Sequence, residues 1–410
     1  MERSRSFLRA GRFAFAGTSI LTLTAVLAPT VPAQTSAGSR QFAPPSDGTS
    51  FYVQHNFVSD LSNPPGGAPD LVDPHLVNPW GVALSSTSPF WISDQGGFTP
   101  SGPPVTTVYG VNNGKLTNTT APLLVVDIPG SSPGGPTGQV FNSTTGFKIN
   151  GTPASFIFSA LNGTINAWNS TTTSGAQLEA TGAPAPAVYT GLAIANRSDG
   201  PYLYAANAAA NRIDVFDQNF SQVTLPGSPF TDPNLPPGDV VFNVVNLNGA
   251  LYVTYEGPYG VVNIFDADGN FIRRFATGGT VLNPWGVVMA PANFGKFSNA
   301  LLIGNFNHSM SGPNGFGWIS AFDPVSGKFL GVLEQQLQSQ SASQGKGYGE
   351  EKQQTFPILI DGLWSLVFGN GGNGGDPSVL YFTAGIGSAP GQNLETHGLF
   401  GSLSLQPKQH

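Results

Sequence analysis

A pentapeptide that occurs twice, 205 residues apart, constrains the fold of this chain more than any other feature. The sequence Asn-Pro-Trp-Gly-Val stands at 78–82 and again at 283–287. An Asp-Pro pair with a Leu two positions further on is repeated in the same way, at 73–76 and 232–235. Self-similarity of this kind is typical of repeat architectures, in which one supersecondary unit buries its apolar faces only against its neighbours.

Six short segments between and beyond these repeats share one character, with two or three bulky apolar residues followed by small ones. Each is preceded by a segment marked by Gly or Trp and followed by an alternating segment, which is the pattern of half-buried strands. The six segments are Phe90–Asp94, Phe156–Ala160, Leu203–Asn207, Leu251–Tyr255, Leu301–Asn305 and Leu380–Ala384.

Six units of four strands predict an all-β fold, a six-bladed β-propeller with four-stranded blades. Asp268-Gly269 and Ser326-Gly327 supply hairpin turns between third and fourth strands. The 53 Gly and 35 Pro residues and the low charged fraction of 10% agree with many turns around a large core. A pair of β-sandwiches is the alternative, but it explains neither the duplicated pentapeptide nor the six matching strands.

The two ends of the repeat region complement each other. The last unit has only three strands, whereas residues 51–60 form a strand without a unit of their own. We therefore predict that this N-terminal strand becomes the outer strand of the sixth blade and removes an open edge. The predicted domain is a single propeller over residues 51–405, with a Gln/Ser-rich surface loop at 335–354.

The N-terminal segment has the features of a secretory signal peptide over residues 1–33. Basic residues precede an uncharged stretch at 13–28, and a small-residue exit ends at Ala33. A membrane anchor is the alternative, but a span needs about 20 apolar residues and this stretch is shorter. Residues 34–50 are expected to be a flexible leader. The basic residues are Arg3, Arg5, Arg9 and Arg12.

Charge and cysteine content restrict the compartment and the partners. The chain has no Cys, so it does not rely on disulfides, which favours a bacterial envelope or extracellular protein. The net charge is −7, and removal of residues 1–33 would leave −10. Such a surface is expected to avoid nucleic acid. We expect an exported, periplasmic or extracellular monomer without a membrane span after signal removal, whose partner is a small molecule, a carbohydrate or an envelope protein.

The propeller geometry predicts where ligands would bind. Inner strands start, and second strands end, at one mouth of the central channel. An oxygen-rich ring there would suit a hard cation such as Ca²⁺, with a histidine for acid–base work. Alternatively, these residues only bond exposed backbone groups at turns. The candidates are Asn78, Asp94, Asn207, Glu256 and Asn305 for binding, Asn243, Asn283 and Asp361 for a metal, and His75, His308 and His397 for catalysis.

Several motifs resemble an uncharacterised family of exported bacterial proteins. They are Phe-Val-Ser-Asp-Leu at 57–61, the two Asn-Pro-Trp-Gly segments, Ile-Asp-Gly-Leu-Trp at 360–364 and His-Gly-Leu-Phe-Gly at 397–401. Some members of that family carry a PEP-CTERM surface-sorting tail. This chain ends at 406–410 without a second hydrophobic segment, so the resemblance implies a released or periplasmic protein. It implies no activity.

A more distant likeness is to six-bladed propellers of the gluconolactonase and NHL-repeat type. In the lactonases, Glu, Asn and Asp hold a cation at the channel mouth, which implies Asn243, Asn283 and Asp361 as the ligands here. Two functions therefore remain open: a non-enzymatic scaffold that binds a ligand or partner at the mouth, and a metal-dependent hydrolase or lactonase. The equivalent residues Trp80, Trp285 and Trp364 are expected to pack between blades.

Overall fold

The chain forms a ring of six antiparallel sheets in the computed structural model. The structure describes residues 50–97, 102–130, 134–172, 175–306, 316–337, 354–387 and 395–407. Each inner strand contacts the inner strand of the next sheet, and the sixth contacts the first. The predicted six-bladed β-propeller is therefore confirmed. The predicted signal peptide and all but the last residue of the predicted leader lie outside the described residues.

Each blade consists of four strands that follow one another from the axis outward. The inner strands are Pro79–Ala83, Pro136–Phe141, Tyr189–Arg197, Val240–Leu247, Pro284–Met289 and Leu363–Phe368. The second strands are Phe90–Asp94, Phe156–Ala160, Gly200–Asn207, Ala250–Glu256, Leu301–Asn305 and Leu380–Ile386. The third strands are Val105–Tyr109, Thr164–Trp168, Arg212–Phe216, Val261–Phe265, Phe316–Phe322 and His397–Leu405. The outer strands are Leu124–Asp127, Gln177–Thr181, Gln222–Val223, Phe271–Thr277, Phe329–Val332 and Tyr52–Ser59.

Shorter elements decorate the ring. A 3-10 helix, Gly295–Phe297, lies between the first two strands of blade 5. The ends of the predicted surface loop pair with each other, as Glu334–Leu337 with Gln354–Pro357, and the residues between them lie outside the described part of the chain. The remaining short strands are Leu71–Val72, Val111–Asn112, Lys115–Leu116, Lys148–Ile149, Thr152–Pro153 and Ile360–Asp361.

The N-terminal strand closes the ring, as predicted. Tyr52–Ser59 pairs antiparallel with His397–Leu405, so that Tyr52 faces Leu405 and Ser59 faces Leu399. The buried Tyr52 hydroxyl donates a hydrogen bond of 3.0 Å to the Phe294 carbonyl of blade 5. Both ends of the described chain therefore contribute to one blade, and the edge of the last sheet is covered.

The apolar core is divided among the interfaces between blades. Each of the six pairs of neighbouring blades has its own cluster of buried side chains, such as Trp91 and Phe158 between blades 1 and 2. A seventh cluster lies where inner strands converge. Because each sheet is covered on both faces, removal of any blade would expose two apolar surfaces.

Neighbouring inner strands approach so closely at one position that a side chain does not fit there. Four blades carry Gly at this position, and a Cβ atom on any of them would overlap atoms of the next blade. The duplicated Asn-Pro-Trp-Gly peptide supplies two of these glycines. The glycines and the residues that a Cβ would meet are Gly81 with Thr137, Gly138 with Leu192, Gly191 with Asn243, and Gly286 with Trp364.

Blade 4 has a different solution at the same position. Asn243 lies inside the inner strand Val240–Leu247. Its Nδ2 donates to the Trp285 carbonyl of blade 5 over 2.9 Å, and its Oδ1 accepts from Val244 N over 2.8 Å. The side chain therefore joins blades 4 and 5 through hydrogen bonds, whereas Gly81, Gly138 and Gly286 leave room for backbone atoms of the next blade.

No helix among the described residues is both long enough and apolar enough to cross a membrane.

Replacement of a glycine at such a blade contact should open the ring locally. We expect Gly138→Ala to lower the free energy of unfolding by about 2 kcal/mol or more, because the new methyl overlaps backbone atoms of blade 3. Gly372→Ala is the matched control, since its Cβ would meet nothing closer than 3.5 Å. Denaturant unfolding should show a loss of at most about 0.5 kcal/mol in the free energy of unfolding for the control. Equal losses for the two variants would contradict this account.

The closing strand offers a second test, in which two positions of one strand face opposite sides. Tyr52→Ala should lower the free energy of unfolding by about 3–5 kcal/mol, because it removes a fully buried aromatic side chain at the junction of blades 5 and 6. Val53→Ala should cost less than about 1 kcal/mol, because Val53 is 43% exposed. Thermal or urea unfolding measures both, and a similar cost at the two positions would argue against closure by this strand.

Candidate functional site

Five aromatic rings, four from inner strands and one that directly follows a second strand, fill the channel axis. Trp80 of blade 1 stacks on Trp364 of blade 6, with centroids 3.6 Å apart and an interplanar angle of 21°. Trp285 of blade 5 meets both edge-on, at 6.3 and 5.7 Å. Phe242 and Phe306 complete the cluster, and Trp80 and Trp364 are fully buried. We call these five rings the aromatic plug.

The three indoles pack between blades, as expected, and the plug also joins blades that are not neighbours. Trp80 and Trp285 belong to blades 1 and 5, which are not adjacent, so their contact lies on the axis. Trp285 Nε1 also reaches across to donate to the Thr190 carbonyl of blade 3, over 2.9 Å. The Trp80 indole N–H is buried and has no hydrogen-bond partner among the described residues.

Asn78 connects the plug to the mouth above it. Its backbone is in the left-handed region, with φ of 47°, and its side chain is fully buried. Its Oδ1 accepts from Trp364 Nε1 over 3.1 Å. Its Nδ2 donates to Gln95 Oε1 over 2.9 Å and to Glu395 Oε2 over 3.1 Å. One amide thus holds an indole, a second amide and a carboxyl group in place.

Three carboxyl groups gather at this mouth. Burial is the main cause that raises the pKa of Glu395 to about 8; the hydrogen bond from Asn78 opposes this rise, and the negative charges of Glu256 and Asp361 contribute to it. Burial also raises the pKa of Glu256 to about 7. No lysine or arginine of the described residues is among the groups that act on either carboxyl. We call Glu256, Asp361 and Glu395 the acidic mouth.

Asp94 faces the interior of blade 1. Its Oδ2 accepts a 2.7 Å hydrogen bond from Thr107 on the third strand, and its Oδ1 is buried without a partner in the described part of the chain. Burial raises its pKa well above the usual range, and the charge of Asp73 adds to the effect. Asp94 therefore belongs to the blade interior and is not brought together with the acidic mouth.

Asn207 and Asn305 hold the ends of their blades together. Their Oδ1 atoms accept from backbone N–H groups just before the inner strands, Val188 N at 3.3 Å and Leu282 N at 2.7 Å. Their Nδ2 atoms reach the third strands, where Asn207 donates to Asp214 over 2.8 Å. These contacts agree with the alternative interpretation that such residues satisfy backbone groups at turns.

The three residues predicted to bind a metal are only partly brought together. Asp361 lies in the acidic mouth, whereas Asn243 joins blades 4 and 5 as described above. The Asn283 Oδ1 accepts from Gly257 N over 3.2 Å. Within the described residues, no three His, Asp or Glu side chains form a group that could hold one metal ion.

Two of the three histidines predicted for catalysis are described, and their side chains pair with Asp73 and Asp60 rather than with a carboxyl group of the acidic mouth. His75 Nδ1 lies 2.8 Å from Asp73 Oδ1, and the other oxygen of Asp73 accepts from the Tyr109 hydroxyl on a third strand. His397, which begins a third strand, lies 2.6 Å from Asp60 Oδ2 just beyond the outer strand. Burial raises the pKa of Asp60. His308, the third catalytic candidate, lies outside the described residues.

Two residues of the mouth, Gln95 and Glu395, were not predicted from the sequence. Gln95 follows a second strand directly, in the same place as Phe306, so the strand pattern offered a signal for it. Glu395 precedes the third strand of blade 6 and belongs to no repeated pattern. Its left-handed φ of 52° is unusual for a glutamate. Only its contact with Asn78 in three dimensions marks it as part of the site.

Comparisons with known proteins identify relatives without a described function. No family model matches the chain. Uncharacterized proteins of Acanthamoeba polyphaga mimivirus are similar to it. One is 32% identical over 53% of this chain and 51% of its own length. Another is 29% identical over 81% of this chain and 76% of its own length. The first match thus spans about half of that relative.

The solved structures that resemble this chain are of low similarity. A streptogramin B lyase structure has 11% sequence identity and a TM-score of 0.43, over 87% of this chain and 98% of that one. The Kuenenia stuttgartiensis hydrazine synthase has 13% identity and a TM-score of 0.42, over 75% and 74%. Likenesses at this level carry no information on the activity of this chain.

Proposed function

We propose that this β-propeller is a binding scaffold whose acidic mouth receives a positively charged group of a ligand or partner. The observation that supports this proposal is that the negative charges of Glu256 and Asp361 both act on Glu395, while no lysine or arginine of the described residues acts on Glu256 or Glu395. Ionised carboxylates at short range repel each other, and a bound cation relieves that repulsion. The mouth is therefore suited to a cationic ligand at neutral or higher pH.

The aromatic plug would form the floor of this site. Phe306 lies at the end of a second strand and packs on Trp364 with centroids 4.1 Å apart. An ammonium or guanidinium group above such rings gains about 0.5–2 kcal/mol from the ring quadrupole. Asn78 fixes the position of Glu395 over the plug. The ligand would thus meet carboxylates at its sides and aromatic carbon beneath.

A hydrolytic role is the second candidate, and it rests on the raised pKa values of the mouth. Groups with pKa values of about 7 and about 8, as for Glu256 and Glu395, are suited to transfer protons near neutral pH. The predicted metal set does not fit the site, because Asn243 is committed to the contact between blades 4 and 5. We therefore propose no metal-dependent step. Ca²⁺ serves only as a small cationic probe of the charge of the mouth.

Export remains a proposal that rests on the N-terminal sequence alone. The relatives are viral, whereas the motif resemblance is to a bacterial family. N-terminal sequencing of the protein after expression in a bacterial host that secretes proteins tests it, and we expect the mature chain to begin at Gln34. A chain that keeps residues 1–33 and stays in the cytoplasm would contradict export.

Stability should fall as the pH rises through the pKa values of the mouth. The folded-state pKa values of Glu256 and Glu395 lie above the ordinary value of 4.5. The stabilisation from their bound protons is complete below about pH 4.5 and is lost as the pH passes about 7 to 8. For each group, the free energy of unfolding falls by about 1.4 kcal/mol per pH unit between its unfolded-state pKa and its folded-state pKa. Urea unfolding at intervals between about pH 5 and pH 9 measures this decline.

The double variant Glu256→Gln/Glu395→Gln should flatten this decline in stability. The control Asp199→Asn removes one carboxylate that is 56% exposed at the rim of blade 3 and should leave the decline unchanged. An identical pH dependence in the wild type and the double variant would contradict the raised pKa values.

Ligand binding at the mouth should depend on the same carboxylates. We expect titration calorimetry at pH 8.5 to show binding of putrescine or of Ca²⁺ by the wild type, and at least tenfold weaker binding by the double variant. The control Asp199→Asn should bind as the wild type does. Absence of binding for both probes, or equal binding by the double variant, would refute the cationic-ligand proposal.

A further inference from the structure

A cavity lies on the channel axis, on the other side of the aromatic plug from the acidic mouth. Its volume is about 400 Å³, and residues from all six inner strands line it. Trp285 of the plug is among them. The other lining residues lie further along each inner strand than its first residue, and therefore further from the mouth at which the inner strands begin. Asn78 and Gln95, in contrast, lie at the ends of strands beside the mouth. We call this space the axial cavity.

None of the described residues that line the axial cavity is charged. That is notable in a chain of net charge −7, whose mouth at the other side of the plug holds three carboxyl groups. Many of its aliphatic side chains keep partial exposure, as expected if they face the open space. The aliphatic and phenyl side chains of the wall include Val82, Leu84, Val140, Phe141, Ile194, Val245, Leu247, Val288 and Val367.

The cavity also contains one hydroxyl group that is not used by the fold. Ser365 lines the cavity and is 7% exposed. Its backbone N–H donates to the Thr383 hydroxyl over 3.1 Å, but its own hydroxyl has no hydrogen-bond partner among the described residues. Asn243 and Asn246, by contrast, use both ends of their amides in bonds to the backbone. Ser365 is therefore a free polar group in a largely apolar wall.

We propose that the axial cavity is a binding site for a neutral, largely apolar small molecule that offers one hydrogen-bonding group to Ser365. The volume lies within the range of small-molecule sites, and such sites combine apolar walls with a few polar groups that fix orientation. A charged ligand would lose its hydration without gaining a partner of opposite charge. The plug separates this site from the acidic mouth, so the two sites take ligands of different chemistry and bind them independently.

The neutral fluorophore N-phenyl-1-naphthylamine tests the site, because its emission increases in apolar surroundings. We expect saturable binding by the wild type and at least tenfold weaker binding by two variants. Val245→Phe reduces the free volume without adding charge, and Val367→Asp places a carboxylate in the wall. The control Val325→Asp adds the same charge at a position that is 81% exposed on blade 5 and should bind as the wild type does.

The role of Ser365 has its own readout. Ser365→Ala should weaken the binding of 2-naphthol about threefold or more and leave the binding of naphthalene unchanged, because only the naphthol can form a hydrogen bond with the hydroxyl. Equal effects on the two compounds would overturn this role.

Three results would overturn the site itself. One is no binding of the fluorophore by the folded wild type, and another is unchanged binding by folded Val245→Phe and Val367→Asp. The third is displacement of the fluorophore by putrescine, which would place it at the acidic mouth.

Discussion

The close approach of neighbouring inner strands is the constraint on which the rest of this structure depends. Glycine allows neighbouring blades to approach closely at four of the six contacts, and Asn243 bridges the contact between blades 4 and 5. Between blades 6 and 1, the Thr383 hydroxyl donates to the Trp80 carbonyl over 2.6 Å. Six sheets held this closely enclose a narrow axis, so large side chains from several blades meet there and exclude water.

The aromatic plug follows from this narrow ring and divides its axis into two environments. On one side, buried carboxyl groups repel each other and hold protons to unusually high pH. On the other side, the described residues that line the axial cavity are uncharged and largely aliphatic. Asn78 links the plug to the acidic side through bonds to Trp364 and Glu395. One closed ring therefore offers two sites of opposite chemistry, one on each side of the plug.

The sequence predicted the strands well and the site only in part, for physical reasons. Strand position is encoded locally, in alternating and apolar runs, so second strands such as Phe90–Asp94 and Leu301–Asn305 agree residue for residue. Side-chain partners are not local. Asn78 and Asn283 occupy the same position of one repeated peptide, yet Asn78 meets Glu395 from another blade whereas Asn283 accepts from Gly257. The repeated peptide marked glycines of the inner strands, but it did not predict their contacts with the next blade.

Circular dichroism of the stacked indoles tests the closed ring most directly. Trp80 and Trp364 lie 284 positions apart in the sequence and 3.6 Å apart in space, so their electronic transitions should couple strongly. We expect Trp80→Phe and Trp364→Phe each to remove the same exciton band, and the double variant to remove little more. Independent, additive losses from the two substitutions would show that the indoles do not stack, and would contradict a ring closed around an aromatic plug.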